Sequence, residues 1–148
     1  MTFSIRLESP VSGSDLGEGA LYGIIRIGDF EERFVSLQTY WRPEAYEHQW
    51  LTAIRRIVEE GKDACLITSI ADPREATRLF WWPMYREGET VHFQNGILFF
   101  DQLTIPFDEQ QPFSSVPPRV TVDEDGEQLS EWDVSVHDLD DYLRSMWA

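Results

Sequence analysis

The chain is predicted to adopt an α+β fold: a largely antiparallel β-sheet of about six to eight strands, one long helix near residues 43–60 and a C-terminal helix. Three observations carry this. Several short runs alternate apolar and polar residues, the period of a half-buried strand. These runs cluster around turn residues and do not alternate regularly with helices. Two segments place apolar residues three and four apart, the period of an amphipathic helix.

Taken in order, FSIRLE sets Phe3, Ile5 and Leu7 on one side and Ser4, Arg6 and Glu8 on the other, a half-buried strand. The Gly-, Ser- and Asp-rich SGSDLGEG that follows reads as a loop. Two apolar runs, 21–27 and 33–41, meet around Gly28-Asp29 as a hairpin, with Val35, Leu37 and Trp41 expected on the inner face. Pro43 then opens the helix, because its missing N–H would be unpaired in a first turn. Tyr46, Trp50, Ala53, Ile54 and Ile57 form its apolar stripe, Glu47, Arg55, Arg56 and Glu59 its wet side, and Gly61 its stop. ACLITSI is a strand, and Asp72-Pro73-Arg74-Glu75 has the composition of a short helix start. Glu87-Gly88-Glu89 should turn WWPMYR into TVHFQN, and Asn95-Gly96 should turn HF into ILFF, giving a three-stranded meander. Pro106, Pro112, Pro117 and Pro118 make the next stretch an extended loop, since proline cannot donate to a ladder. VTVDEDGEQLSEWDV reads as two short strands around Asp125-Gly126. Ser135 to Asp138 starts the last helix in capping-box fashion, with Leu139, Leu143 and Met146 as its stripe.

Composition sets the outer bounds. At 148 residues with 42% hydrophobic content, the chain is expected to form a single domain, 1–148, with a sizeable core. It contains no apolar run of the length a membrane span needs, and its first ten residues lack the pattern of a secretory signal. The single cysteine, Cys65, excludes a disulfide framework, and a cytoplasmic location is expected. The formal charge is −15, with 12 Lys+Arg against 27 Asp+Glu. Such a field repels nucleic acid and anionic membrane, so no direct binding to either is expected, while cationic partners are attracted. Acidity as a mere solubility device accounts for the composition equally well. From Asp108 onward there are eleven acidic residues against Arg119 and Arg144 alone, so the excess is steepest in the C-terminal third.

Catalytic patterns are missing. His48, His92 and His137 share no ligand spacing, and Asp123-Glu124-Asp125-Gly126 lacks the spaced carboxylates of a calcium loop, so no metal site and no cofactor are expected. No nucleophile elbow, phosphate-cradling glycine loop or C-x-x-C pair occurs, and the chain is not expected to be an enzyme. A small enzyme using Cys65, His92 or scattered acids under the aromatic cluster is the weaker alternative.

Seven of the twenty aromatic residues fall between Phe80 and Phe100. Neighbouring side chains in a strand point to opposite faces, so Trp81 and Trp82 cannot both enter one core unless both faces are covered. Either the strand is central and sandwiched, or one face carries exposed Trp82 and Tyr85 as partner anchors or as a self-association face.

Several stretches together, IGDFEERF, RRIVEEGKDACLITSIADP, FWWPMYREGETVHFQNGILFFDQL, PFDEQQPFSSVPPR and SEWDVSVHDLDDYL, resemble the immunity proteins of contact-dependent growth inhibition, the CdiI-like family. The resemblance runs from about residue 27 to 143. It implies a cytoplasmic bacterial protein that binds one cognate toxin domain, often a nuclease, and blocks its active site. An acidic inhibitor can imitate the phosphates a basic nuclease holds. On that footing the partner-binding candidates are Asp108 and Glu109 on the proline-rich loop, Asp123, Glu124, Asp125 and Glu127 on the acidic turn, and Trp82 and Tyr85 in the aromatic stretch.

Overall fold

The computed structural model describes residues 2–11 and 19–147. The loop expected at 12–19 therefore lies almost wholly outside the described residues. Two antiparallel sheets and two helices account for the rest, the α+β class that the periodicities predict.

The first sheet runs β1 (Phe3–Pro10), β2 (Ala20–Ile27), β3 (Phe30–Leu37), in that order. Gly28, at φ 62°, supplies the left-handed residue of the two-residue turn that pairs Ile27 with Phe30. That register decides which face of β3 is buried, and it is not the face expected. Phe34 and Ser36 turn inward, while Val35 is exposed and Leu37 only half-buried. A turn one residue shorter or longer would have reversed this, because the side-chain period is two. Gly23 lies opposite Phe34, and a Cβ there would sit 2.3 Å from the Phe34 ring. Trp41 falls beyond the strand, edge-on to Tyr46 with centroids 5.3 Å apart.

The second sheet contains β4 (Ala64–Ser69), β5 (Arg78–Glu87), β6 (Thr90–Phe93), β7 (Gly96–Phe99) and β8 (Trp132–Ser135). Its order is β4-β5-β6-β8, with β7 also on β5. The Gly88 hairpin forms as expected, at φ 61°. Asn95-Gly96 does not reverse the chain. Met84 pairs with Phe93 and Trp81 with Gly96, so β6 and β7 lie end to end along the same edge of β5. The break falls opposite Pro83, which has no N–H to give, and Gln94 N–H donates to the Pro83 carbonyl at 3.0 Å. Gly96 is not among the glycines with positive φ, so the Asn-Gly pair never adopts the tight turn its composition favours. Two other expectations fail for want of burial. Asp72 to Ala76 is a single turn closed on the Asp72 carbonyl, not a helix. The segment around Asp125-Gly126 carries one isolated bridge, Val122 to Gln128, in place of two strands.

Helix α1 (Pro43–Glu59) buries the stripe Tyr46, Trp50, Ala53, Ile54 and Ile57, together with Gln49. Three of these side chains also complete the open edge of β4. Gln49 Nε2 donates to the Cys65 carbonyl and Gln49 Oε1 accepts from Ile67 N–H, both at 2.8 Å. Trp50 Nε1 donates to the Ile67 carbonyl at 2.7 Å, and Tyr46 Oη accepts from Ile70 N–H at 3.0 Å. Edge groups that would otherwise invite pairing with another chain are thereby closed by a helix. Helix α2 (Val136–Trp147) starts where Ser135 Oγ accepts from Asp138 N–H at 3.0 Å, the expected cap. Leu139, Tyr142 and Leu143 are buried, and Met146 is exposed, contrary to the expected stripe.

Between the sheets Phe30 stacks on Trp132 at 4.2 Å, Trp82 lies 5.5 Å from Trp132, and Phe3 stacks on Phe93 at 5.4 Å. The opposite face of the second sheet is roofed by the proline-rich segment. Pro112 is buried, the short 3₁₀ turn Pro112–Ser115 packs on β4, and the Arg56 guanidinium lies 3.7 Å from the centre of the Phe113 ring. Arg56, expected in water, thus ties α1 to that roof.

Candidate partner-binding surface

Most of the aromatic stretch is core, with Phe80 exposed. Covered on both faces, β5 buries Trp81, Trp82, Met84 and Tyr85, and the sandwiched alternative holds. Trp82 is 2% and Tyr85 3% exposed, so the exposure expected of these two anchors is corrected. Burial also pushes the Tyr85 hydroxyl up to about 12. Neither ring presents a surface to a partner.

The acidic candidates divide between two places. Asp123, Glu124 and Asp125 share a shallow depression with Val120, Val122 and Leu129. The turn is held by its own backbone: Asp123 Oδ1 accepts from the N–H groups of Asp125 and Glu127, each at 2.9 Å, and Gly126 takes φ 81°. Glu124, Asp125 and Glu127 are exposed, and their carboxylates meet no cation among the described residues. Asp108 and Glu109 line a different depression with Tyr40 and Arg74. Asp108 is exposed and accepts from Gln110 N–H. Glu109 is half-buried, and its two oxygens accept from Tyr40 Oη and Trp41 Nε1. That hydrogen bond, ahead of burial, raises the Tyr40 hydroxyl above its ordinary value. Glu109 is therefore engaged in fastening the roof.

A polar knot behind the acidic turn was not foreseen. His92 is buried, with Nδ1 2.6 Å from Asp133 and 3.7 Å from Glu131, and Nε2 3.3 Å from Glu87. Arg119 grips Glu131 with both arms of its fork, at 2.6 and 2.9 Å, which holds the Glu131 carboxyl below its ordinary value. Gln94 Nε2 adds bonds to Glu131 at 2.9 Å and to the Val120 carbonyl at 2.8 Å. The ligand atoms of His92, Glu131 and Asp133 lie within 4.8 Å of one another, spacing that can hold a cation. The donor set does not fit that use: Glu131 is taken by Arg119 and Gln94, and Asp133 by His92. What the knot does is pin residues 119–131 to β6 and β8. One clue was available in the sequence, because Arg119 and Arg144 are the only Lys or Arg residues after residue 107, and Arg119 is taken up by a half-buried carboxylate while Arg144 makes an exposed helical pair with Asp140.

The small-enzyme alternative finds no support in this geometry. Cys65 lines a cavity of about 250 Å³ beneath Trp41, His48 and Phe113, but complete burial drives its thiol pKa strongly upward, away from the nucleophilic form. His92 lines neither that cavity nor the depressions that hold the acidic candidates.

Comparison with known proteins bears on the family. The model of the CdiI N-terminal domain matches residues 36–142, well over half of the chain. The chain belongs to the CdiI immunity family. The Immunity protein CdiI of Enterobacter cloacae subsp. cloacae is 27% identical over 122 residues, covering 82% of this chain and 83% of that protein. A chain of the CdiA-CT/CdiI toxin and immunity complex from Enterobacter cloacae superposes with a TM-score of 0.87 at 27% identity, covering 98% of both chains. As a CdiI-family member the chain is an immunity protein and not an enzyme. No helix among the described residues is long and apolar enough to cross a membrane.

Proposed function

We propose that this CdiI-family chain binds the toxic C-terminal domain of a CdiA-type protein in the cytoplasm and neutralises it by covering its active site, and that the toxin is a cationic nuclease. The observation that carries the reading is the group of exposed carboxylates at Glu124, Asp125 and Glu127, which no cation among the described residues balances. Held in place by Asp123 and by the Arg119–Glu131 pair, they form a fixed anionic array before any partner arrives. Such an array steers a basic protein and resembles the phosphates it would otherwise hold. Asp108, exposed on the proline-rich loop, adds a separate acidic position, and Glu109 positions that loop. The relative solved with CdiA-CT supports a toxin of that kind as the partner.

The test is stopped-flow association with the toxin domain encoded beside this chain, across a salt series. The rate should fall steeply between about 50 mM and about 500 mM salt, and joint replacement of Glu124, Asp125 and Glu127 by Lys should slow it at least roughly tenfold at low salt. A rate indifferent to both salt and these replacements removes the acidic surface from the mechanism. Growth arrest on co-expression with that toxin domain removes the immunity function itself.

A further inference from the structure

One concentration of exposed apolar surface lies away from the acidic turn. Val35, Phe80 and Ile97 are 39%, 42% and 41% exposed, and all three line one groove of about 570 Å³ that runs beside β3. β3 is the last strand of its sheet. Ile27 and Phe30 close the hairpin as a bonded pair, so Phe30, Glu32, Phe34 and Ser36 direct their main-chain groups to β2. Glu31, Arg33 and Val35 direct theirs outward, and no backbone group of the described residues meets them. Among the described residues the outward edge is answered only at Leu37, whose N–H donates to Ser69 Oγ at 3.2 Å and whose carbonyl accepts from Tyr46 Oη at 2.6 Å. An open strand edge and an apolar trough therefore run side by side. Between Glu31 and Val35 the edge is about 13 Å long, the reach of roughly five extended residues.

One more side chain identifies the occupant. Glu32 lines the groove, half-buried, on a wall it shares with the apolar Phe34, Phe80 and Ile97. Its carboxylate has no ion pair or hydrogen bond among the described residues. A carboxylate held at the margin of an apolar trough is completed by a cation that arrives with the occupant. We propose that an extended segment of the toxin partner adds to the free edge of β3, lays alternate apolar side chains against Phe80 and Ile97, and sets a Lys or Arg opposite Glu32. Main-chain pairing would supply affinity and the trough specificity, as in other strand-addition interfaces. This rests on the toxin-binding reading but uses a surface separate from the acidic turn.

The test combines amide hydrogen exchange with three variants, using the full chain and its toxin domain. On complex formation the amides of Glu31, Arg33 and Val35 should become protected. Ile97→Lys, Val35→Pro and Glu32→Lys should each raise Kd at least tenfold. Val35→Pro removes an N–H that bonds nothing in the free chain; should it not fold, the surface variants Ile97→Lys and Glu32→Lys still decide. Wild-type Kd in folded variants, with the three amides unprotected in the complex, overturns the strand addition while leaving toxin binding intact. Protection of the same amides in the free chain, with sedimentation as a dimer, overturns it in favour of a second copy as occupant. A wild-type chain that does not bind the toxin at all overturns both readings.

Discussion

Gln49 offers the sharpest test of how this fold is held together. Its amide spans the open edge of β4, donating to Cys65 C=O and accepting from Ile67 N–H, both at 2.8 Å in a buried setting. Gln49→Met keeps the length and most of the volume of the side chain and removes both hydrogen bonds. The lost bonds, and the two backbone groups left buried without partners, together cost about 2–5 kcal/mol. Urea unfolding of a domain this size has a slope near 2 kcal/mol per molar, so the midpoint should fall by about 1–2.5 M with the slope unchanged. Hydrogen exchange supplies the local readout: the Ile67 amide, protected in the wild type, should exchange far faster in the variant. A midpoint shift below about 0.3 M, with Ile67 still protected, would mean that the helix packs on β4 through apolar contact alone and that the edge needs no side-chain partner.

Four further outcomes follow from the same structure. Trp82→Ala, which empties a site between Phe30 and Trp132, should cost about 3–5 kcal/mol in urea unfolding; weakened toxin binding at undiminished stability would restore Trp82 as a contact residue. Gly88→Ala forces a left-handed φ of 61° on a residue with a Cβ and should cost about 1–2 kcal/mol, whereas Gly96→Ala, with open space around it, should stay within about 0.5 kcal/mol. The Arg119 fork holds the Glu131 carboxyl below its ordinary value of 4.5, so the stability it adds is present above that pH and disappears as pH falls through the lower folded value. Glu131→Gln should therefore be less stable than wild type at neutral pH and approach it in acid, as read from urea midpoints at both ends. Gly23→Ala, whose methyl would collide with the Phe34 ring, should lose about 1–3 kcal/mol on thermal unfolding.

Local physics made much of this legible. The α1 stripe, the Gly28 and Gly88 turns and the Ser135 cap each depend on residues close together in sequence, and each appears as read. The errors have a common origin in partners distant in sequence. Asn95-Gly96 has the composition of a tight turn, but β5 offers one long edge on which β6 and β7 align in succession, and the chain continues forward. Val35 and Leu37 are as apolar as Phe34, and only the register with β2 settles which of them faces the core. Glu109 and Arg56 looked like solvent residues because Tyr40, Trp41 and Phe113, which hold them, lie more than fifty residues away.

By itself the sequence determined the α+β class, the strong negative charge, the absence of catalytic motifs and, through its longer matching stretches, the CdiI resemblance. Tertiary structure alone decided that Trp82 and Tyr85 are core, that Arg119 is consumed by Glu131 while Glu124, Asp125 and Glu127 meet no cation among the described residues, and that β3 has an edge no other described strand pairs, beside Phe80 and Ile97. The physical reason is that charge and periodicity are properties of the chain, whereas exposure is a property of what packs against it. A tryptophan reads the same in a core or on a surface until the sheet and the loop that cover it are in place.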